Sequence, residues 1–312
     1  MTVTVMSQAV RPLIEDRLPD WVEPRWFANA DELLELAPDA QIGWFDLNHH
    51  ERMAEAVRQA DRLEWLNSIY AGLDFLPMDV LAKRKVIVTN GAGINALTIA
   101  EYAVMLMLTH AKGYRDVVRA QDRHEWLRDS PGKMELAGSR ALLLGYGAIG
   151  KLIETRLRAF DVELDIVRRS GGDGALGPDE WRDRLGSYDW ILLAVPATEE
   201  TNHMIGANEL ARMKDSAVVL NIARGSVIDQ PALIEALEGG SIGGALLDVT
   251  TPEPLPADHP LWAFDNVQVT MHLSGRAQTR MFQRSADRFI DNLNRWHAGK
   301  DVQPRLDPSL GY

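Results

Sequence analysis

The sequence predicts an α/β protein of two domains, each a parallel sheet flanked by helices. Three observations carry this. Short apolar runs suited to buried strands recur along the chain and alternate with helical segments, the pattern of parallel sheets with helices on their faces. One of these runs, Ala141-Leu142-Leu143-Leu144, leads into three glycines spaced G-x-G-x-x-G and then into a helical segment. Finally, 312 residues allow about two domains, and 46% hydrophobic with 25% charged residues is the balance of a soluble globular chain with ample core.

Residues 1–94 read as a small α/β unit. Gln41–Phe45, Leu63–Ile69 and Val86–Thr89 are its strands, with helices over Glu51–Ala60 and Pro77–Ala82 between them. After the second strand comes Tyr70-Ala71-Gly72-Leu73-Asp74. A glycine just past the carboxyl end of a parallel strand exposes amides to the ligand crevice, so Ala71, Gly72 and Leu73 are candidates to hold a carboxylate. A plain strand-to-helix turn reads equally well from this feature alone. Trp44, at a strand end, is a candidate wall of a substrate pocket, against the plainer reading of a core aromatic. Asn90–Asn95 is a glycine-containing stretch suited to a hinge. A nearly continuous apolar helix then runs from about Thr98 to Ala120, expected to lie buried between domains. Arg123–Met134 reads as a charged connector.

Ala141–Ser170 forms one βαβ module: strand, tight turn, helix and a second strand at Val162–Val167. Gly145 permits the turn, Gly147 lets the backbone approach a pyrophosphate, and Gly150 lets helix and strand pack closely. The pyrophosphate sits on the helix N-terminus, where free amides and the macrodipole favour an anion. Gly145, Tyr146, Gly147, Ala148, Ile149 and Gly150 are therefore assigned to a dinucleotide. At the end of the second strand, where an acidic residue would bind the ribose hydroxyls of NAD, the chain reads Arg168-Arg169-Ser170. Two guanidiniums and a hydroxyl suit a 2′-phosphate, so NADP is expected in preference to NAD. Gly171–Gly177 follows as a surface loop.

Four more buried strands follow: Trp190–Pro196, Ala217–Ala223, Gly244–Val249 and Val267–Met271. Pro196 and Thr201 beyond the first, and Ala223 at the end of the second, are assigned to the cofactor site. Arg224, Glu253 and His272 stand at or just beyond the ends of the last three strands, and parallel strands would bring them to one crevice. Singly each has a bland reading as a surface or loop polar residue; together, in a chain that binds a dinucleotide, they suit reduction of a 2-oxo acid. Histidine has a reference pKa near neutrality, so His272 can give the proton, Glu253 can hold its ring, and Arg224 can bind the carboxylate and polarise the carbonyl. Asp248 can accept from a nicotinamide carboxamide, or stand as a fixed charge at a strand end. Arg280–Gly299 reads as a closing amphipathic helix.

The net charge of −12 argues against a nucleic-acid-binding surface, and the absence of cysteine removes disulfides, thiolate metal sites and a thiolate nucleophile. No leader peptide is visible, and the apolar stretches fall short of a membrane span. A cytoplasmic protein without metal, nucleic-acid or membrane partners is the expectation.

The chain resembles the D-isomer-specific 2-hydroxyacid dehydrogenases along nearly its whole length. The resemblance is carried by Tyr70–Asp74, Asn90–Glu101, Gly145–Gly150, Val195–Thr198, Asn221–Asp229, Asp248–Pro254 and Met271–Gly275. Within that family it looks most like the glyoxylate/hydroxypyruvate reductase branch, because of Arg168-Arg169-Ser170. The resemblance implies a Rossmann-type doubly wound parallel sheet, residues 95–278, inserted in a smaller flavodoxin-like α/β substrate domain, residues 1–94 plus 279–312. It implies an Arg/Glu/His triad at Arg224, Glu253 and His272, a carboxylate-binding loop at Ala71-Gly72-Leu73, and homodimers held by the nucleotide domain. Met271 departs from the proline common before the histidine. An NADPH-dependent reductase of small 2-oxo acids such as glyoxylate or hydroxypyruvate is the leading expectation. The alternatives are a dehydrogenase of bulkier 2-oxo acids and a dinucleotide-sensing corepressor, which keeps a similar triad.

Overall fold

The computed structural model describes residues 1–73, 75–276 and 278–306. The chain divides into two compact units, Met1–Asn95 with Ala277–Tyr312, and Ala96–Arg276. Both are α/β, each built on a six-stranded sheet.

The first unit runs β1 (Thr2–Ser7), α1 (Arg11–Ile14), β2 (Val22–Phe27), α2 (Ala30–Leu36), β3 (Ile42–Trp44), α3 (His50–Gln59), β4 (Trp65–Asn67), α4 (Met78–Lys83) and β5 (Ile87–Thr89). The sheet order is β2-β1-β3-β4-β5, all parallel. This is the flavodoxin-like order, with its switch point between β1 and β3. The strand pair β1–β2 is additional to the sequence reading. β2 carries Pro24, which a strand tolerates only at an edge, and β2 is the edge. Two apolar layers cover the sheet. One holds Leu33, Met53, Val57 and Leu81 of α2, α3 and α4, and the other holds Trp44, Trp65 and Phe289.

In the second unit, α5 (Ala96–Ala111) and α6 (Tyr114–Asp122) precede β6 (Arg140–Leu144), α7 (Ala148–Ala159), β7 (Glu163–Val167), β8 (Trp190–Leu193), α8 (Ala207–Leu210), β9 (Val218–Asn221), α9 (Gln230–Glu238), β10 (Gly244–Leu247) and β11 (Val267–Val269). The order is β7-β6-β8-β9-β10-β11, all parallel. A single parallel bridge from Val167 to Leu176 stands where a third strand would, outside β7. Counting it gives the Rossmann order, and the switch point lies between β6 and β8. Side chains alternate between faces as a pleated strand requires: Leu142 and Leu144 join one core layer, Ala141 and Leu143 the other. The first unit is completed by α10 (Gln278–His297) and by β12 (Arg305–Leu306), which pairs antiparallel with β5.

Three expectations are corrected. The helix expected from Thr98 to Ala120 is two helices, α5 and α6. Gly113 sits between them at φ +59°, and a Cβ there would lie 2.6 Å from the Gly132 amide nitrogen, so the passing connector forces the break. α5 packs into the second unit's own core through Ala100, Ala103 and Met107. The stretch 90–95, expected as a hinge, does end where the two units divide, at Asn95, while its start is held by Arg288, which donates to the Asn90 and Ala92 carbonyls. Trp44, expected as a pocket wall, is 1% exposed, with its ring 4.8 Å from Phe289 of α10 and its Nε1 donating to Asp46. Among the described residues no helix is long and apolar enough to cross a membrane.

Trp44→Ala is therefore expected to lower the unfolding free energy by about 3–5 kcal/mol, read by denaturant titration. A variant within about 0.5 kcal/mol of wild type, with altered substrate KM, would return Trp44 to a pocket.

Candidate active site

The glycine turn is dictated by close approach at two of its three positions. Gly145 has φ +102°, and a Cβ on it would lie 2.5 Å from the Ala194 carbonyl oxygen. A Cβ on Gly150 would lie 2.4 Å from the Gly145 carbonyl oxygen, so β6 and α7 meet only without it. Gly147 differs, because a Cβ there meets nothing within 4 Å. Packing within the protein does not require glycine at 147; a group approaching the backbone from outside does. α7 begins at Ala148 without a capping side chain or a first-turn acid, so the amides of Ala148, Ile149 and Gly150 face outward as anion donors. Tyr146 is turned onto α7, where its hydroxyl donates to Glu154. The turn fits a dinucleotide pyrophosphate.

The end of β7 divides the three residues assigned to a 2′-phosphate. Arg168 folds back, donating from Nε to the Gly171 carbonyl at 2.7 Å and from Nη2 to the Gly172 carbonyl and Asp173. It braces the glycine-rich loop, a correction to its assignment as a phosphate ligand. Arg169 keeps its side chain 70% exposed, 3.4 Å from an equally exposed Glu200, and Ser170 lies beside it on the surface.

Thr201 is likewise turned inward. Its hydroxyl donates to the Pro196 carbonyl at 2.7 Å and accepts from the Thr198 amide at 2.8 Å. It closes the loop after β8 and does not offer its hydroxyl to a cofactor. The Ala223 amide donates to the Asn221 side chain, whose Nδ2 donates to the Arg224 carbonyl, so buried Asn221 shapes the turn carrying Arg224.

Arg224, Glu253 and His272 follow β9, β10 and β11, and the parallel register brings them together. His272 Nδ1 lies 2.8 Å from Glu253 Oε2. A carboxylate only accepts, so Nδ1 carries the hydrogen and Nε2 is left to a reactant. The two side chains are 45% and 37% exposed, open to an incoming molecule. Burial pushes the Glu253 carboxyl up, but the hydrogen bonds from His272 and the Thr250 amide, with the His272 and Arg224 charges, hold it below the usual carboxylate range. The Arg224 loop reaches the Glu253 loop through Gly225, where a Cβ would lie 2.1 Å from the Thr250 carbonyl oxygen. Gln230 pins the same loop, accepting from the Thr251 amide and donating to its carbonyl.

Asp248 does not face a cofactor as expected. Its carboxylate accepts from the Thr270 hydroxyl at 2.8 Å, the Leu273 amide at 3.0 Å and the amide and hydroxyl of Ser274, while its carbonyl accepts from the His272 amide at 2.6 Å. These donors use the four lone-pair sites of a carboxylate. Asp248 holds the corner on which His272 sits. Met271 and His272 both have positive φ, +55° and +56°.

The family model described as "D-isomer specific 2-hydroxyacid dehydrogenase, NAD binding domain" matches residues 104–274. The chain belongs to the D-isomer-specific 2-hydroxyacid dehydrogenase family. It is accordingly an oxidoreductase of the NAD(P)-dependent 2-hydroxyacid dehydrogenase class, and its second unit is the NAD-binding domain. A glyoxylate reductase of Thermofilum pendens is 34% identical over 252 residues, 77% of this chain and 74% of the relative. A family member from Aeromonas salmonicida has a solved structure with TM-score 0.87 and 28% identity, covering 98% of this chain and 99% of that one. The NADPH-dependent glyoxylate/hydroxypyruvate reductase of Sinorhizobium meliloti, solved with citrate, gives TM-score 0.80 at 25% identity, over 99% and 98%.

Sequence reading did not assign Asn221, Gln230 or Ser274. Asn221 and Gln230 lie within or beside recognisable motifs, and a buried amide at a strand end is the signal that marks such residues.

Gly225→Ala is expected to lower kcat at least about tenfold with fold retained, since the Arg224 and Glu253 loops must separate; unchanged kcat would contradict that coupling. The depressed Glu253 carboxyl contributes stability above its unfolded value, lost as pH falls through its folded one. The Tm difference between wild type and Glu253→Gln should close as the solution is acidified below about pH 4. A gap independent of pH would remove the ionised Glu253 from the account.

Proposed function

We propose that this chain is a cytoplasmic NADPH-dependent reductase of small 2-oxo acids, of the glyoxylate or hydroxypyruvate type, yielding the D-2-hydroxy acid. The observation that carries the reading is the His272–Glu253 pair beside Arg224, at the carboxyl ends of parallel strands in an NAD-binding domain. The names of the Thermofilum and Sinorhizobium relatives support the substrate class. Protein amides at the α7 N-terminus hold the pyrophosphate, with Gly147 leaving it room; Pro196 and Ala223 line the strand ends beside the cofactor. Arg169 and Ser170 take the 2′-phosphate, while Arg168 shapes the loop that presents them.

A nicotinamide cofactor, when bound, supplies the hydride. Arg224 binds the substrate carboxylate and polarises the carbonyl to be reduced. In the first unit the accessible amides of Ala71 and Gly72 are the donors suited to a carboxylate, as the sequence resemblance implies. His272 gives its Nε2 proton to the forming alkoxide. Glu253 fixes the ring through Nδ1. In hydroxy-acid oxidation the same imidazole accepts the proton.

The chain works as a homodimer on this reading. Trp126 is 93% exposed and Tyr114 55%, with Leu127, Val117 and Val118 also exposed on α6 and the segment after it. A cluster of apolar side chains on one helix and its continuation is the surface a second copy covers.

Purified protein should oxidise NADPH when given glyoxylate or hydroxypyruvate, with kcat/KM for NADPH above that for NADH. No turnover across a panel of 2-oxo acids would sink the reading. His272→Ala should lower kcat by about 10²–10⁴ while NADPH binding, read by fluorescence titration, is kept. Arg169→Asp should move preference toward NADH, and unchanged preference would remove the 2′-phosphate assignment. Sedimentation should give twice the chain mass of 34.8 kDa; a monomer would refute the dimer.

A further inference from the structure

Asp46 follows β3 in the first unit and is used by none of the chemistry above. Three donors converge on its carboxylate. Oδ1 accepts from the Ser68 hydroxyl at 2.6 Å, and Oδ2 accepts from the Ile69 amide at 2.6 Å and from Trp44 Nε1 at 2.7 Å. The Ser68 hydroxyl in turn accepts from the Tyr70 amide at 3.1 Å. One side chain thus fixes consecutive backbone amides, at Ile69 and Tyr70, immediately before Ala71.

The opposite side of the same strand of backbone is fixed as well. The Gly91 amide donates to the Tyr70 carbonyl at 2.8 Å, and a Cβ on Gly91 would lie 1.8 Å from the Ile69 carbonyl oxygen. Asn90 Nδ2 donates to the Ala71 carbonyl at 2.6 Å. By contrast, the amides of Ala71, Gly72 and Leu73 donate to no acceptor among the described residues. The backbone is held through the Ala71 carbonyl, and the amides of Ala71 and Gly72 stand at the surface as two successive donors, whereas Leu73, 0% exposed, turns into the core, a correction to its assignment to the carboxylate.

Asp46 has no ion-pair partner among the described residues. Burial pushes its carboxyl up to about 6, against the hydrogen bonds from Ser68, Ile69 and Trp44. A group whose folded pKa is raised stabilises the fold below its unfolded value, and that contribution is lost as pH rises through about 6. At neutral pH the three hydrogen bonds from Trp44, Ser68 and Ile69 are what hold the carboxylate in place.

We propose that Asp46 is the positioning residue of the carboxylate-binding loop: by holding the Ser68 hydroxyl and the Ile69 amide it sets the backbone from which Ala71 and Gly72 present their amides. This rests on the reading of that loop as the site of the substrate carboxylate. The loop binds the substrate's carboxylate equally in ground and transition state, so loosening it raises KM and leaves kcat alone.

Two variants of the full chain test this, Asp46→Ala and Asp46→Asn. Asp46→Ala should raise KM for glyoxylate about tenfold, with kcat and KM for NADPH within about twofold of wild type. Asp46→Asn should recover most of the loss, because its amide oxygen still accepts from Ile69. Hydrogen exchange of the 66–73 peptide should be about tenfold faster in Asp46→Ala and unchanged in peptides of β1 and β5. Should Asp46→Ala fail to fold, Ser68→Ala removes the link to Tyr70 alone and should give a smaller rise in KM and in exchange. Wild-type KM and exchange in the folded variants would overturn the proposal, as would a fall in kcat at constant KM. If wild type reduces no 2-oxo acid, the functional reading fails, and exchange at 66–73 still decides whether Asp46 sets the loop.

Discussion

A backbone that turns sharply off a strand end must find acceptors for its amides, and in the second unit the Asp248 carboxylate supplies them. It takes Leu273, Ser274 and the Thr270 hydroxyl, while its own carbonyl takes His272. Met271 and His272 are both left-handed, a conformation costing about 1–2 kcal/mol per L-residue. Hydrogen bonds to a charged acceptor, worth about 1.5–3 kcal/mol each, offset that cost. The corner in turn aims the imidazole at Glu253. On the proposed function, Asp248 acts through the histidine it positions.

The other two members of the proposed triad are brought in by contact between backbones. Gly225 lets the Arg224 turn lie against Thr250, and Gln230 clamps Thr251 from the other side. Arg224, Glu253 and His272 are thereby set by three neighbouring strands of one sheet and by the tight turns that leave them. The exposure of the His272 and Glu253 side chains follows: the structure spends its hydrogen bonds on the backbone beneath them and leaves their reactive faces open.

Much of this was legible in the sequence. Strand-sized apolar runs and the glycine spacing marked the two parallel sheets, because pleat alternation and close backbone approach leave direct traces in residue type. The convergence of Arg224, Glu253 and His272 was legible because each stands just beyond a buried strand. What sequence could not show was the direction in which a polar side chain turns. Arg168, Thr201 and Asp248 stand at or beyond strand ends, where ligand-binding residues also stand, yet Arg168 and Thr201 bond their own loops and Asp248 bonds the loop after β11. Trp44 could be read either way until its packing on Phe289, distant in the chain, was known. The edge strand β2 was hidden by Pro24 and mixed polarity, and the α5–α6 break by the absence of any local sign that Gly132 passes Gly113.

The central claim is that this chain moves a hydride from a nicotinamide to the carbonyl carbon of a 2-oxo acid while its own imidazole supplies the proton. The direct measurement uses NADPH deuterated at the transferable C4 position, with hydroxypyruvate as acceptor, and mass and chiral analysis of the product. The account predicts D-glycerate carrying deuterium at C2. Product with hydrogen at C2, the L-isomer, or no product from a folded protein that binds NADPH would contradict it.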